Sequence, residues 1–151
     1  VAIAYAEESL ALYRALGDVP GEAHALTLLT FLMSIYQEKA VAQQVGQAAL
    51  ALYRQLGDQW GMINVLHKLS IATPDAVVRR PYLEECLALA ERIGDKGGMA
   101  RALFNLSLDI LESSQSASAL ALSERSLVLA HDLGSRQDMA QTSFHYSWLD
   151  L

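Results

Sequence analysis

The chain contains 151 residues, of which 52% are hydrophobic and 19% are charged, a composition that supplies a buried core and excludes a disordered chain. Its net charge of −6 argues against direct binding to nucleic acid, which requires a basic surface to displace counterions. It has no uninterrupted apolar run of about 18 residues and no charged-then-apolar leader pattern, so we expect neither a membrane span nor a signal peptide. The single cysteine, Cys86, is compatible with a cytoplasmic location.

The strongest pattern in the chain is a repeated tripeptide. Leu-Gly-Asp, or a close variant, recurs with its glycine at positions 17, 57, 94 and 134, at intervals of 40, 37 and 40 residues. An apolar segment precedes each tripeptide and a second one follows it. Such a period is typical of solenoid proteins, in which each unit is a pair of antiparallel helices. In chain order, the pattern predicts helices through residues 10–13, 23–30, 50–53, 63–70, 87–90, 100–107, 127–130 and 140–147.

The tripeptides also predict how the helices begin and end. Each glycine is expected to end a helix in the left-handed conformation, which costs least for glycine. The residue after it is predicted to cap the next helix by accepting from free backbone N–H groups. These N-cap residues are Asp18, Asp58, Asp95 and Ser135. Three residues later come Gly21, Gly61, Gly98 and Asp138, where a small residue lets two helices approach closely.

One unit is irregular, because its interval of 37 residues is three shorter than the others. The spacing places the deletion between the helices of the second complete pair. We predict that Thr73 caps the following helix with Pro74 in its first position. Pro81 then lies inside that helix, so we expect a kink or a late helix start near Arg79 to Pro81, and a pair geometry that differs from its neighbours.

Small residues mark the predicted contacts between helices, because close packing requires them. They are Thr30, Ser70, Ser107 and Ser147 in the first helices of the units, and Ser9, Ala49, Cys86 and Ser126 in the second helices. With the leucine framework around them, they make the whole chain resemble an array of tetratricopeptide repeats of about 40 residues. The chain departs from that family at two positions of each unit. Where the family has a glycine in the first helix, this chain has threonine or serine. Where the family has an aromatic residue in the second helix, this chain has Ala6, Gly46, Leu83 and Ser123.

The resemblance implies an all-α fold, an α-α superhelix of about seven to eight helices in antiparallel pairs, as a single domain over residues 1–151. The phrase Leu-Gly-Asp preceded by Leu-Ala-Leu-Tyr-Arg also resembles the C-terminal repeat arrays of bacterial signalling ATPases and LuxR/MalT-type transcription regulators. The expected function is therefore that of a non-catalytic scaffold and sensing module in signal transduction or transcription regulation. The alternative is a receptor domain that binds a peptide or small ligand in its groove.

In tetratricopeptide arrays the first helices line a concave groove, and the resemblance implies which residues would line it here. They are Thr27, Phe31, His67, Ile71, Phe104, Leu108, Phe144 and Trp148, with Arg101 and Asn105 nearby as polar contacts. Most of these side chains are apolar, which suits an amphipathic helix or an apolar peptide. The family members that clamp a carboxylate carry Lys, Arg and Asn there, and this chain does not. The same residues could instead pack against further repeats or another domain, and the sequence leaves both readings open.

Catalytic, metal and cofactor chemistry is not expected. No two of the four histidines, His24, His67, His131 and His145, lie three or four residues apart. Cys86 follows Glu84 and Glu85, whose charges raise rather than lower a thiol pKa, so we expect an inert core residue. The paired carboxylates Glu7 and Glu8 point in different directions on a helix and are expected to be solvated.

The register at the two ends predicts that the chain is a fragment of a larger protein, because it opens inside a second helix and stops inside a first helix. Apolar side chains crowd the last segment: Phe144, Tyr146, Trp148 and Leu149. We therefore expect self-association through this C-terminal surface, beside a protein or peptide partner of unspecified identity.

Overall fold

A computed structural model describes the backbone of residues 1–112 and 116–134, with the side chains of all but residues 111, 112 and 116 in these ranges. Over those ranges the chain forms helices and no strand, and helices adjacent in sequence pack together, which confirms the predicted all-α class. The predicted helix through residues 140–147 lies outside the described residues. The helices are α1 (Ala2–Leu16), α2 (Val19–Ile35), α3 (Lys39–Leu56), α4 (Gln59–Ala72), α5 (Ala76–Ile93), α6 (Lys96–Glu112) and α7 (Ser116–Asp132).

The tight turns have the predicted chemistry. Gly17, Gly57, Gly94 and Gly134 all adopt the left-handed conformation, with φ between +64° and +73°. At the first turn, the Gly17 and Asp18 N–H groups donate to the carbonyls of Arg14 and Tyr13, which satisfies the end of α1. Asp18 and Asp58 then cap α2 and α4 by accepting from the N–H groups of Gly21 and Gly61, at 3.0 and 2.9 Å. Ser135 and Asp138 lie outside the described residues.

The chain divides into two compact units, with the boundary between Tyr82 and Leu83. In the first unit α2 is central, because it packs against α1, α3 and α4. Each fully buried leucine there contributes about 1.5–3 kcal/mol. The core includes a cluster contributed by all four helices: Ala6, Leu29, Met33, Ala42 and Ala72.

The second unit contains the rest of α5 together with α6 and α7. Its buried side chains include Leu83, Cys86 and Leu103. The predicted small residue Ser126 lies where α7 meets α6, and its hydroxyl donates to the Ala100 carbonyl at 2.8 Å. Of the other predicted small contact residues in the described ranges, only Ser9 is exposed; Thr30, Ser70, Ser107, Ala49 and Cys86 are buried.

The irregular unit differs from expectation in where the three residues are lost. The connection between α4 and α5, residues 73–75, is as long as that between α2 and α3, residues 36–38. The helix itself is shorter: α4 has 14 residues, whereas α2 and α6 each have 17. The early end of α4 leaves the Ala72 carbonyl without a helical N–H partner. The side-chain amide of Gln43, on α3, donates to this carbonyl at 3.2 Å.

The predicted start of α5 was wrong. Thr73 is buried at the end of α4, where its hydroxyl donates to the Leu69 carbonyl, so it does not cap α5. Asp75 is the cap instead, since its carboxylate accepts from the Val77 N–H at 2.8 Å. The helix begins at Ala76 and continues through Pro81, so the alternative of a late start at Arg79 is also wrong.

Candidate surface on helices α2 and α4

The largest predicted groove residues of the first unit belong to two helices that pack against each other, α2 and α4. Phe31 lies on α2 and is half-buried. The Nζ atom of Lys68, on α4, lies 4.3 Å from the centroid of the Phe31 ring. A cation over an aromatic face at this distance contributes about 0.5–1 kcal/mol at an exposed site. The contact joins the two helices at their shared surface.

Two further predicted residues lie beside this contact on α4. His67 directly precedes Lys68 and is half-buried, and Ile71 follows one turn later and is exposed. Residues 67 and 71 are four apart, so their side chains share one side of the helix. Phe31 and the pair His67 and Ile71 therefore lie on two helices that pack against each other.

Thr27 is placed differently from the prediction. It is buried, and its hydroxyl donates to the Ala23 carbonyl at 2.8 Å and lies 3.4 Å from the hydroxyl oxygen of Tyr53. Tyr53 is itself buried, which raises the pKa of its phenol above the ordinary value; the Thr27 hydrogen bond opposes the rise and Asp58 adds to it. Thr27 thus supports the α2–α3 contact from within the core and offers no side chain to a ligand.

Sequence reasoning missed two residues on the same surface of α2. Leu28 and Ile35 are exposed, one turn to either side of Phe31. The spacing of positions 28, 31 and 35 is that of one helical stripe, and this periodicity could have identified them. We call the combined surface the α2–α4 face; it consists of Leu28, Phe31, Ile35, His67, Lys68 and Ile71.

In the second unit, the predicted residues on α6 are all half-buried: Arg101, Phe104, Asn105 and Leu108. Asn105 donates its side-chain amide to the Arg101 carbonyl at 2.8 Å, so part of its hydrogen-bonding capacity is used within its own helix. Phe144 and Trp148 lie outside the described residues, as do the other apolar side chains of the C-terminal segment.

Cys86 is a free cysteine in the core of the second unit. Burial raises the pKa of the Cys86 thiol to about 11, Arg101 opposes this, and the carboxylates of Asp95 and Glu85 add to it. A thiol with that pKa is protonated at neutral pH and is a poor nucleophile. His24 and His131 are exposed. Among the described side chains, no group of three or more His, Cys, Asp and Glu residues has the arrangement of a metal site.

No protein-family profile matches this chain, and a search of curated proteins finds no match either. Within residues 1–112 and 116–134, none of the helices has the combination of length and apolarity that crossing a bilayer requires.

Proposed function

We propose that the chain is a non-catalytic protein-interaction and sensing module that binds an amphipathic helix or an apolar peptide on its α2–α4 face. The observation that carries the proposal is the exposure of three large aliphatic side chains on two contacting helices. Leu28, Ile35 and Ile71 are between 42% and 54% exposed. Clusters of exposed apolar side chains are typical of interaction sites.

The spacing of these side chains favours a helical ligand. Leu28, Phe31 and Ile35 form a stripe along α2, and Ile71 is exposed on α4, which packs against α2. A partner helix that presents apolar residues three and four apart can lie along such a stripe. Polar side chains at the edge of the stripe can then fix the orientation of that helix. His24 and Asn64, exposed on α2 and α4, are available as that polar edge.

The larger setting follows from the resemblance. We propose a tetratricopeptide-like module within a cytoplasmic regulator of signalling or transcription. The repeated Leu-Gly-Asp turns and the helical pairs support this assignment, because the same local chemistry ends and starts a helix at each turn. The proposal assigns no catalytic step to the chain, since its one thiol is buried and protonated at neutral pH.

A library of helical 16-residue peptides, about the length of α2, tests the proposal when it is selected against the full 151-residue chain. Selected peptides are expected to bind the Leu28→Asp and Ile71→Asp variants about tenfold more weakly or worse, because each aspartate removes a buried aliphatic contact. Val41→Asp, at an aliphatic residue of similar exposure on α3, is the matched control and is expected to bind normally.

Two outcomes contradict the proposal. If the selected peptides bind both face variants as tightly as the unsubstituted chain, the α2–α4 face is not the site. The second outcome is that no peptide binds, whereas a compound from a metabolite library raises the Tm of the unsubstituted chain but not that of Ile71→Asp. The chain is then a receptor for a small ligand and not a peptide-binding module.

A further inference from the structure

The charges carried by α2 and α4 differ in sign from the charge of the whole chain. The chain has 17 Asp and Glu residues and a net charge of −6. Helix α4 contains no carboxylate, and α2 contains one, Glu22, which accepts from the Nε atom of Arg14 on α1 at 2.8 Å. The other titratable side chains of the two helices are His24, His67 and Lys68, which are neutral or positive and never negative. The two helices therefore offer positive charge to a ligand.

The carboxylates that flank α2 and α4 in the sequence lie in the connections at the helix ends: Asp18, Glu38, Asp58 and Asp75. Three of them cap the helix that follows, by accepting from backbone N–H groups at 3.0, 2.9 and 2.8 Å. They are thus held at helix starts. Lys68, in contrast, lies within α4 and contacts an aromatic ring of α2.

The ammonium of Lys68 is positioned by the ring of Phe31. Its Nζ atom lies 4.3 Å from the ring centroid, and both side chains are half-buried. This contact restricts the rotamers of the lysine before a ligand arrives, so less side-chain entropy is lost when an acidic group binds. The ammonium has three N–H donors, so its contact with the ring does not prevent it from donating to a carboxylate. Asn64, four residues earlier on α4 and exposed, adds an amide donor on the same side of the helix.

We propose that the ligand of the α2–α4 face is an acidic amphipathic helix of a partner protein, with a Glu or Asp beside its apolar stripe that accepts from the Lys68 ammonium. This inference rests on the proposed function and names the class of helix that the face selects. The apolar stripe of α2 supplies the contact area, and Lys68 supplies the preference for a charge. A helix with Lys or Arg at the same border would bring like charges together, which disfavours it.

A separate partner fits this surface better than a further repeat does. In a repeat array each unit contacts only its neighbours, so an added unit packs against the helix pair at an end of the array. Helix α2 already packs against α1, α3 and α4. The α2–α4 face instead runs across successive units, and repeat arrays use surfaces of that kind to bind ligands.

Three labelled helical peptides of about 16 residues are the probes, used with the full chain in fluorescence anisotropy. They share one leucine stripe and differ only at the positions that border it, which carry Glu, Gln or Lys. We expect the unsubstituted chain to bind the acidic peptide about tenfold or more tightly than the basic one, with the neutral peptide between them. The advantage of the acidic peptide over the neutral one should shrink as the salt concentration rises, because salt screens exposed charges.

Variants of the lysine assign the preference to one side chain. Lys68→Glu is expected to reverse the order of the peptides, Lys68→Gln to bind all three alike, and Lys68→Arg to keep the original order. Lys39→Glu, at a half-buried lysine on α3, makes the same change in net charge and is the matched control. It is expected to leave the order unchanged. Circular dichroism and the Tm of each variant check that it is folded.

The outcomes separate this inference from the proposed function. If the unsubstituted chain binds the three peptides equally and Leu28→Asp weakens all of them, the proposed function holds and the acidic preference is overturned. If neither these peptides nor any library peptide binds, both are overturned.

Two further results would identify a different occupant and overturn the partner helix. One is a dimer in sedimentation that Lys68→Glu converts to a monomer, because the occupant is then a second copy. The other is a labelled peptide of residues 136–151 that binds as tightly as the acidic peptide and loses its binding in Lys68→Glu, because the occupant is then a segment of the chain itself.

Discussion

The aromatic ring of Tyr53, near the end of α3, lies directly against Gly61 in the first turn of α4. A Cβ at position 61 would overlap two carbons of that ring. Tyr13 and Gly21 repeat the relationship 40 residues earlier, between α1 and α2. In the third turn the ring is replaced by the smaller Ala90, whose Cβ would lie 3.1 Å from a Cβ at Gly98. The tyrosine and the glycine are thus a matched pair that fixes how closely two successive helices approach.

Gly61→Ala is therefore expected to destabilise the chain. The methyl group would displace the buried Tyr53 ring and the Asp58 cap, and overpacking of this kind costs about 1–3 kcal/mol. Gly97→Ala, also in the first turn of a helix, is the control. Its nearest contact would be 3.4 Å from the Asp95 carboxylate, so we expect a neutral or slightly stabilising effect. Urea denaturation measures both, and equal stability of the two variants would contradict the pairing.

Asp58→Ala is expected to lower the free energy of unfolding by about 1 kcal/mol, because the Gly61 N–H loses its acceptor at the start of α4. Asp58→Asn keeps a side-chain oxygen at the same position and is expected to retain most of the stability. Thermal and urea unfolding of the two variants side by side provide the measurement. A loss of the same size in both would assign the effect to charge rather than to the cap.

Pro81→Ala is expected to stabilise the chain by about 1–3 kcal/mol. Position 81 lies inside α5, where proline supplies no N–H to the preceding turn. Pro20→Ala is the matched control, because Pro20 lies in the first turn of α2, where the missing N–H has no helical partner. Chemical denaturation should show a gain for Pro81→Ala alone. A gain of similar size at position 20 would mean that the effect does not come from the helix interior.

The stability of the chain is expected to fall as the pH rises from about 9 to 11. The pKa of the Cys86 thiol is about 11 in the folded chain, above its ordinary value of 9.0. The unfolded chain therefore loses this proton at a lower pH than the folded chain does. The free energy of unfolding falls by about 2 to 3 kcal/mol across that range. Unfolding at a series of pH values should show a shallower decline for Cys86→Ala. An unchanged slope in that variant would contradict a buried, protonated thiol.

The site could be predicted in part. The resemblance named Phe31, His67 and Ile71, which lie half-buried or exposed on the contacting helices α2 and α4, and it also named Thr27, which is buried. The helical period places both position 27 and position 28 near the edge of an apolar stripe. Only the neighbouring helix decides between them: Tyr53 of α3 lies over Thr27, so Leu28 is left at the surface.

The sequence by itself determined the repeat, the helices of the described ranges and the turns at the left-handed glycines. These features are local, since a left-handed glycine such as Gly57 or a cap such as Asp58 acts on backbone groups within about four residues. Tertiary packing decided the rest. It ended α4 after 14 residues, it buried Thr73 at that end, and it buried Thr27 while leaving Leu28 exposed. These outcomes depend on which helix lies across from a given stripe, and residues far apart in the chain supply that contact.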